Sequence, residues 1–367
     1  MKRVSTYILP VLAALVSCTR PAETGRQPIP LVSEIVKGTA VESGIVVAAA
    51  TPQAGSDIYI AGSPDFSRRL RDRFLSCDIF ENVRGKSWSD GLKDFAGETF
   101  CCISDEAHTP YDTLACSSPQ GPDSLRELAV RYAIAALDGK YNISVYDLDG
   151  NGTKLPAKII VLADPWLYEY GKFDVDTLFS QMSCTVPVIS PQDLLFDAAV
   201  GAEHKCFNIG LICDSTCVGK GIYQSIYRAK TAQHDVVGTR FFESAPGPGP
   251  GSLYRFLDAY AEAGNTAPLD AILVDDPNAD IDLLKEELNA ARDFSREESL
   301  NYSKYVPSGM LLESSQELVM RECYSLLRKG SLFTHRIAQP ASKSFSVSPR
   351  PWVEDMQFLL IGEEDDV

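Results

Sequence analysis

The chain has 367 residues, of which 45% are hydrophobic and 23% charged. That balance describes a globular protein and excludes a disordered or fibrous one. Its 50 Asp and Glu against 34 Lys and Arg give a formal charge of −16, which opposes binding to a phosphate backbone, so no nucleic-acid partner is expected.

The chain opens with the basic Met1-Lys2-Arg3 and a mostly apolar run from Tyr7 to Val16. At about ten residues this run is too short to span a bilayer, which takes ~20 in a helix. It ends in Leu15-Val16-Ser17-Cys18. That order resembles the bacterial lipoprotein signal, which implies cleavage before Cys18, lipidation of that thiol, and a chain anchored to an envelope membrane on its periplasmic or outer face. Residues 18–35, with Pro21, Gly25, Pro28 and Pro30, read as a tether without regular structure. Of the ten cysteines, nine remain once Cys18 is set aside, and an odd number cannot pair fully within the chain.

Short apolar strands then alternate with helices, the pattern of parallel βαβ units. Strands are expected at Gly44–Ala49, Asp57–Gly62, Thr99–Ser104, Asn142–Tyr146, Ala157–Leu162 and Val186–Ser190. Helices are expected at Asp65–Phe74, from Asp123 (with Glu127 completing a capping box) to about Leu137, and at Val175–Met182. After a less apolar stretch, Pro191 to Lys205, the alternation restarts. Strands fall at Phe207–Ile212, Val236–Glu243, Leu269–Val274 and Gly309–Leu312, and helices at Lys220–Lys230, Leu253–Ala263, Ile281–Arg292 and Gln316–Leu327. The expected architecture is α/β: a first lobe over 36–195, a second over 205–310, each a parallel sheet flanked by helices, and a cleft between them. Residues 311–367 are expected to pack back across the lobes and end in a solvated acidic tail.

Val186-Pro187-Val188-Ile189-Ser190-Pro191 is similar to the last first-lobe strand of type I periplasmic binding proteins. Asn208-Ile209-Gly210-Leu211-Ile212-Cys213-Asp214-Ser215-Thr216, followed by Val218-Gly219-Lys220-Gly221-Ile222, resembles the opening of that family's second lobe. Ala271-Ile272-Leu273-Val274-Asp275-Asp276 fits a later strand. The resemblance implies a non-enzymatic lipoprotein that closes around a small polar solute for transport or sensing, with a membrane transporter or sensor as a possible partner.

Ligands in parallel α/β sheets sit beyond the carboxyl ends of the strands. That rule selects Asp105, Glu106, His108 and Tyr111; Asp164, Trp166, Tyr168 and Tyr170; Ser190; Asp214, Ser215 and Thr216; Glu243 and Ser244; and Asp275 and Asp276. Each carboxylate is equally readable as a helix cap. The set is rich in carboxylates and aromatics, with Lys220 the one neighbouring cation, so a neutral or amine-bearing ligand is favoured over a phosphate or dicarboxylate. Two alternatives stand beside the solute binder: a hydrolase of sugars or nucleosides using paired carboxylates such as Asp105 and Asp214, and a partner-binding scaffold with a vestigial cleft.

Other motifs are weaker. Asp147-x-Asp149-x-Asn151-Gly152 opens like a calcium loop, but Lys158 stands where the bidentate Glu belongs, so a turn is the simpler reading. Gly219-Lys220-Gly221 lacks the glycine spacing and the Ser/Thr of a phosphate loop. Cys213 and Cys217 have no second pair at zinc spacing. No cofactor and no metal are expected. The loop from Ala245 to Ser252, alternating Pro and Gly, reads as a stiff connection or a cleft lip.

Overall fold

The computed structural model describes residues 26–80, 89–201, 204–293, 299–352 and 356–363. Cys18, the signal segment and the last four residues of the acidic tail lie outside them. The first part of the chain runs α1 (Pro30–Val36), α2 (Glu42–Ala48), β1 (Asp57–Gly62), α3 (Pro64–Ser76), β2 (Thr99–Ser104), α4 (Tyr111–Ser117), α5 (Gly121–Leu137), β3 (Lys140–Tyr141), β4 (Gly152–Thr153), β5 (Ala157–Leu162), α6 (Pro165–Gln181), β6 (Val188–Ile189) and α7 (Pro191–Val200). The second part runs β7 (Asn208–Cys213), α8 (Ile222–Gln233), β8 (Arg240–Ser244), α9 (Ser252–Glu262), β9 (Ala271–Asp275), α10 (Ile281–Arg292), α11 (Ser299–Tyr302) and β10 (Leu311–Ser314). Then α12 (Ser315–Lys329), β11 (Ala341–Pro349) and β12 (Phe358–Gly362) complete the chain.

Two sheets result. The first has the order β12-β11-β2-β1-β5-β6, and the second β10-β9-β7-β8. Every pairing in them is parallel except β11 with β12. The protein is therefore a two-lobed α/β fold.

Strand alternation builds the core on both faces of the first sheet. Tyr59 and Ala61 point to one side, against Leu125, Ala129 and Tyr132 of α5. Ile58 and Ile60 point to the other, against Phe66, Leu70 and Phe74 of α3 and Val319, Met320 and Cys323 of α12. Thus α12, which follows directly on a second-lobe strand, belongs to the first-lobe core. The chain crosses between lobes twice, once after α7 and once at Ser314-Ser315.

The lobes also share apolar packing. Ile209, Leu211 and Cys213 of β7, with Ile222, Tyr223, Ile226 and Tyr227, lie in the same buried cluster as Leu195, Phe196, Trp166 and Tyr132 of the first lobe. The Phe196 and Phe241 ring centroids are 5.9 Å apart, and Tyr227 stacks on Phe241 at 4.8 Å.

Some local expectations are corrected. Residues 44–48 are helical, within α2, and Ala49 caps it: Val46 is buried while Val47 is 63% exposed, and the segment covers the core with one side only. The stretch read as a tether turns helical at Pro30, because Val32 and Ile35 are buried and Asp174 accepts the Ile29 amide at 2.9 Å and the Arg126 guanidinium at 2.8 Å. Asn142–Tyr146 forms no strand; Asn142 makes one isolated bridge to Ile361, and the next residues turn. The less apolar stretch contains α7. Asp147 spends its oxygens on a turn, accepting from the Ile143 and Asn151 amides and from Asn151 Nδ2.

Helices α5 and α6 pack where Gly171 allows close approach. A Cβ there would lie 2.1 Å from Ala129 Cβ, so Gly171→Ala must separate the helices. Urea denaturation should show a loss of about 1–3 kcal/mol, the usual cost of overpacking. A variant within 0.5 kcal/mol of wild type, roughly the scatter of a neutral change, would contradict this packing.

Candidate functional site

The carboxyl ends of both sheets face one another, and a cavity of about 280 Å³ lies between them. The first lobe lines it with Ser63, Thr109, Tyr111, Asp112, Asp164 and Trp166, and the second with Asp214, Thr216 and Cys217. Neither Lys nor Arg is among the described residues lining it. Lys220 stands at the rim and reaches Asp112 across the lobes at 3.1 Å.

Asp164 caps α6, accepting the Trp166 amide at 2.9 Å, and its other oxygen accepts the Ser63 hydroxyl at 2.6 Å. Burial raises its pKa to about 7; the two hydrogen bonds oppose that rise, and the nearby Asp275 carboxylate adds to it. Trp166 stacks on Tyr170 one helical turn later, at 6.1 Å. Asp214 accepts the Thr216 amide at 2.7 Å and its hydroxyl at 2.5 Å, which fixes the turn that carries Cys217. Burial raises the Cys217 thiol, and the Asp164 and Asp275 carboxylates raise it further. The thiol therefore keeps its proton at neutral pH.

Behind the cavity, Asp275 is the junction of the two lobes. Its Oδ2 accepts Gln192 Nε2 at 2.9 Å and the Tyr223 hydroxyl at 2.8 Å, and its Oδ1 accepts the Ser315 hydroxyl at 2.6 Å. Gln192 also donates to the Ala163 carbonyl at 3.1 Å. Burial raises the Asp275 pKa, while these three donors pull it back.

Tyr111, Asp164, Trp166, Asp214 and Thr216 thus meet at one cavity, whereas Asp105, His108, Tyr168, Ser190, Ser215 and Glu243 do not line it. Asp105 is fully buried and accepts from the Ala107 and His108 amides, the His108 ring and the Tyr111 and Tyr132 hydroxyls. It holds Tyr111 against the cavity without lining it. His108 is consumed by that contact, and Tyr168 turns away to bond Asp193 at 2.6 Å. Ser190 donates to Gln192 at 2.7 Å. Ser215 is exposed. Glu243 accepts the Gly219 amide at 2.8 Å. The loop from Ala245 to Ser252 is braced by Arg255, whose guanidinium bonds the carbonyls of Pro246, Gly247, Pro248 and Pro250.

Strand-end selection passed over Ser63, although it follows β1 directly. Cys217 was visible only as half of an unmatched cysteine pair. Gln192, Tyr223 and Ser315 carry no local signal, because their role arises from the lobe junction.

No protein-family model and no curated protein sequence matches the chain. Among solved structures it is similar to glutamate racemase RacE1 from Bacillus anthracis, at 14% identity over 81% of this chain and 90% of that one, with a TM-score of 0.46. It is similar to the Francisella tularensis glutamate racemase in complex with D-glutamate at 12% identity, over 80% and 89% of the two chains, with a TM-score of 0.44. The maleate isomerase Iso from Pseudomonas putida S16 pairs at 12% identity, over 74% and 92%, with a TM-score of 0.35.

These neighbours are racemases and an isomerase, not periplasmic binding proteins. The expectation of a type I periplasmic binding protein is corrected on that finding, and with it solute binding, transport and the leaning away from an enzyme. The hydrolase and scaffold alternatives match these neighbours no better. The structure adds physical reasons. A core continuous across the lobes resists the opening that a solute-capturing cleft needs, and Asp105, one of the paired carboxylates, does not line the cavity.

The raised Asp164 carboxyl makes stability depend on pH. An ordinary Asp titrates near ~3.9, so the folded chain holds this proton more tightly than the unfolded chain. The contribution is fully present below about pH 4 and is lost as the pH rises through 7. Asp164→Asn removes it while keeping the Trp166 cap. Denaturation across this window should show wild type losing up to ~4 kcal/mol more than the variant. Parallel stability curves would show that the carboxyl is not raised.

Proposed function

We propose that the interlobe cavity is the active site of an isomerase-class enzyme that moves a proton on a small neutral or amine-bearing substrate. What supports this is one juxtaposition: an acid–base carboxyl from the first lobe, Asp164, and a thiol from the second, Cys217, line the same cavity. A carboxyl raised to about 7 is populated both as acid and as base at neutral pH, the condition under which general acid–base catalysis is most efficient. The protonated Cys217 is a donor rather than a nucleophile.

The reaction then has a direction. The Asp164 carboxylate takes a proton from an activated carbon of the substrate, and the C–H electron pair passes into the substrate's adjoining unsaturated group. The Cys217 S–H bond breaks and its proton returns to a carbon of the substrate from the second lobe. One turnover leaves Asp164 protonated and Cys217 as thiolate, and proton exchange with water restores both. Tyr111 and Trp166 supply apolar walls, and the rim pair of Asp112 and Lys220 narrows the mouth. The carboxylates Asp112 and Asp214 suit an amine on the substrate better than a second acid group.

The test is incubation in D2O with a panel of small chiral amines, amino amides and hydroxy carbonyl compounds, followed by mass spectrometry. A substrate should gain one deuterium at the inverted or migrated carbon. Asp164→Asn should lower the rate by ~100-fold or more, the usual worth of a general acid–base group, and Cys217→Ala should do the same. A substrate converted without deuterium gain, or at an unchanged rate by both variants, would refute the assignment.

A further inference from the structure

One contact at the mouth of the interlobe cavity has no part in the proton transfer. Lys220 of the second lobe reaches Asp112 of the first at 3.1 Å, with its side chain about half exposed. Asp112 lines the cavity, and Lys220 stands just outside that lining. The two Asp112 oxygens divide their work: Oδ1 accepts the Thr113 amide at 2.7 Å, and Oδ2 meets the Lys220 ammonium. Burial alone would raise this carboxyl. The Lys220 hydrogen bond and charge, with the Thr113 amide, outweigh burial and hold its pKa below the ordinary value. The entrance to the site is therefore an ionised carboxylate with a primary ammonium already seated on it, and that ammonium is the same chemical group an amine-bearing ligand would bring.

The turn that carries Lys220 can let it go. Gly219 and Gly221 flank it with φ of +69° and +80°, a left-handed backbone that glycine adopts without strain. A Cβ at either position would meet nothing within 4 Å, so open space surrounds the turn. Its base is fixed, because Glu243 Oε1 accepts the Gly219 amide at 2.8 Å. The movable part is the flexible four-carbon stem of the lysine. That stem has a second carboxylate beside its own turn: Glu243 Oε2 is buried and has no hydrogen-bond partner among the described residues. An exposed ion pair such as Lys220 with Asp112 is weak enough to exchange for another.

We propose that Lys220 is an internal latch on the cavity: its ammonium holds the Asp112 carboxylate until the primary ammonium of an entering ligand takes its place, and the released lysine turns toward Glu243. The inference rests on the reading of the cavity as a site that accepts an amine, and it adds to that reading the group that recognises the amine and the group that competes with it. An uncharged ligand has no claim on Asp112 and leaves the latch shut. The lobes stay joined at their apolar side throughout, so the latch opens the mouth by moving one side chain.

The experiment is NMR titration of the Trp166 indole resonance, assigned by its loss in Trp166→Phe, at low ionic strength. The probe is propylammonium, with 1-propanol as the uncharged control of similar size. Wild type is compared with Lys220→Met and with the double variant Lys220→Met/Asp112→Asn, and a melting curve without probe verifies that each is folded. Lys220→Met should bind propylammonium ~3- to 5-fold more tightly than wild type, the worth of one exposed ion pair no longer in competition. A gain of affinity is a result that a misfolded variant does not produce. The gain should vanish in the double variant, and propanol should bind wild type and Lys220→Met equally. No propylammonium binding by Lys220→Met, no gain over wild type, a gain that survives Asp112→Asn, or an equal gain for propanol would each overturn the proposal. The latch and the reaction fail separately. Turnover with deuterium gain but no tightening in Lys220→Met removes the latch alone, and tightening without turnover removes the reaction and leaves the latch.

Discussion

The buried hydrogen bonds behind the cavity converge on the Asp275 carboxylate. It is almost wholly buried, and a carboxylate removed from water must recover its lost hydration from protein donors. Three donors supply this: Gln192 at the start of α7, Tyr223 on α8 and Ser315 at the start of α12. Gln192 and Ser315 stand at the elements flanking the two chain crossings. One buried acceptor thereby ties both crossings to the end of β9 and sets how the lobes meet. Its charge also reaches Asp164 in the facing lobe and helps keep that carboxyl protonated.

Apolar packing reinforces the same arrangement. The buried cluster that begins under α5 and α6 continues through Phe196 into Tyr223, Ile226 and Tyr227 without a solvent layer. The lobes behave as one body on that side, and the cavity is a small gap left where strand ends and helix starts cannot fill the space. The same low polarity that raises Asp164 would strengthen any electrostatic contact made by a ligand there.

The parallel α/β plan was legible because buried strands such as Thr99–Ser104 and Ala157–Leu162 are short, apolar and followed by cap residues. The strand-end rule also led to Asp164, Trp166, Asp214 and Thr216. It failed where helical geometry takes over. Trp166, Tyr168 and Tyr170 read as one aromatic group, yet in a helix residues two apart lie on opposite sides. Trp166 therefore faces the cavity with Tyr170 stacked one turn away, while Tyr168 points to Asp193. The run Gly44–Ala49 shows the converse error: short apolar segments do not reveal their period, and it is the Ala49 amide bonding the Ile45 carbonyl, with Val47 and Ala48 both exposed after the buried Val46, that marks α2 as a helix. The Asp275 donors come from positions 192, 223 and 315, a convergence that no local pattern encodes.

The claim that the closed junction keeps a proton on a buried carboxyl at neutral pH is tested most directly by carbon-detected NMR titration of the Asp carboxyls. The account predicts one resonance with a midpoint near 7, assigned to Asp164 by its disappearance in Asp164→Asn, and moving toward lower pH when Asp275→Asn removes the neighbouring charge. An Asp164 resonance with its midpoint near the ordinary value of ~3.9 would contradict it.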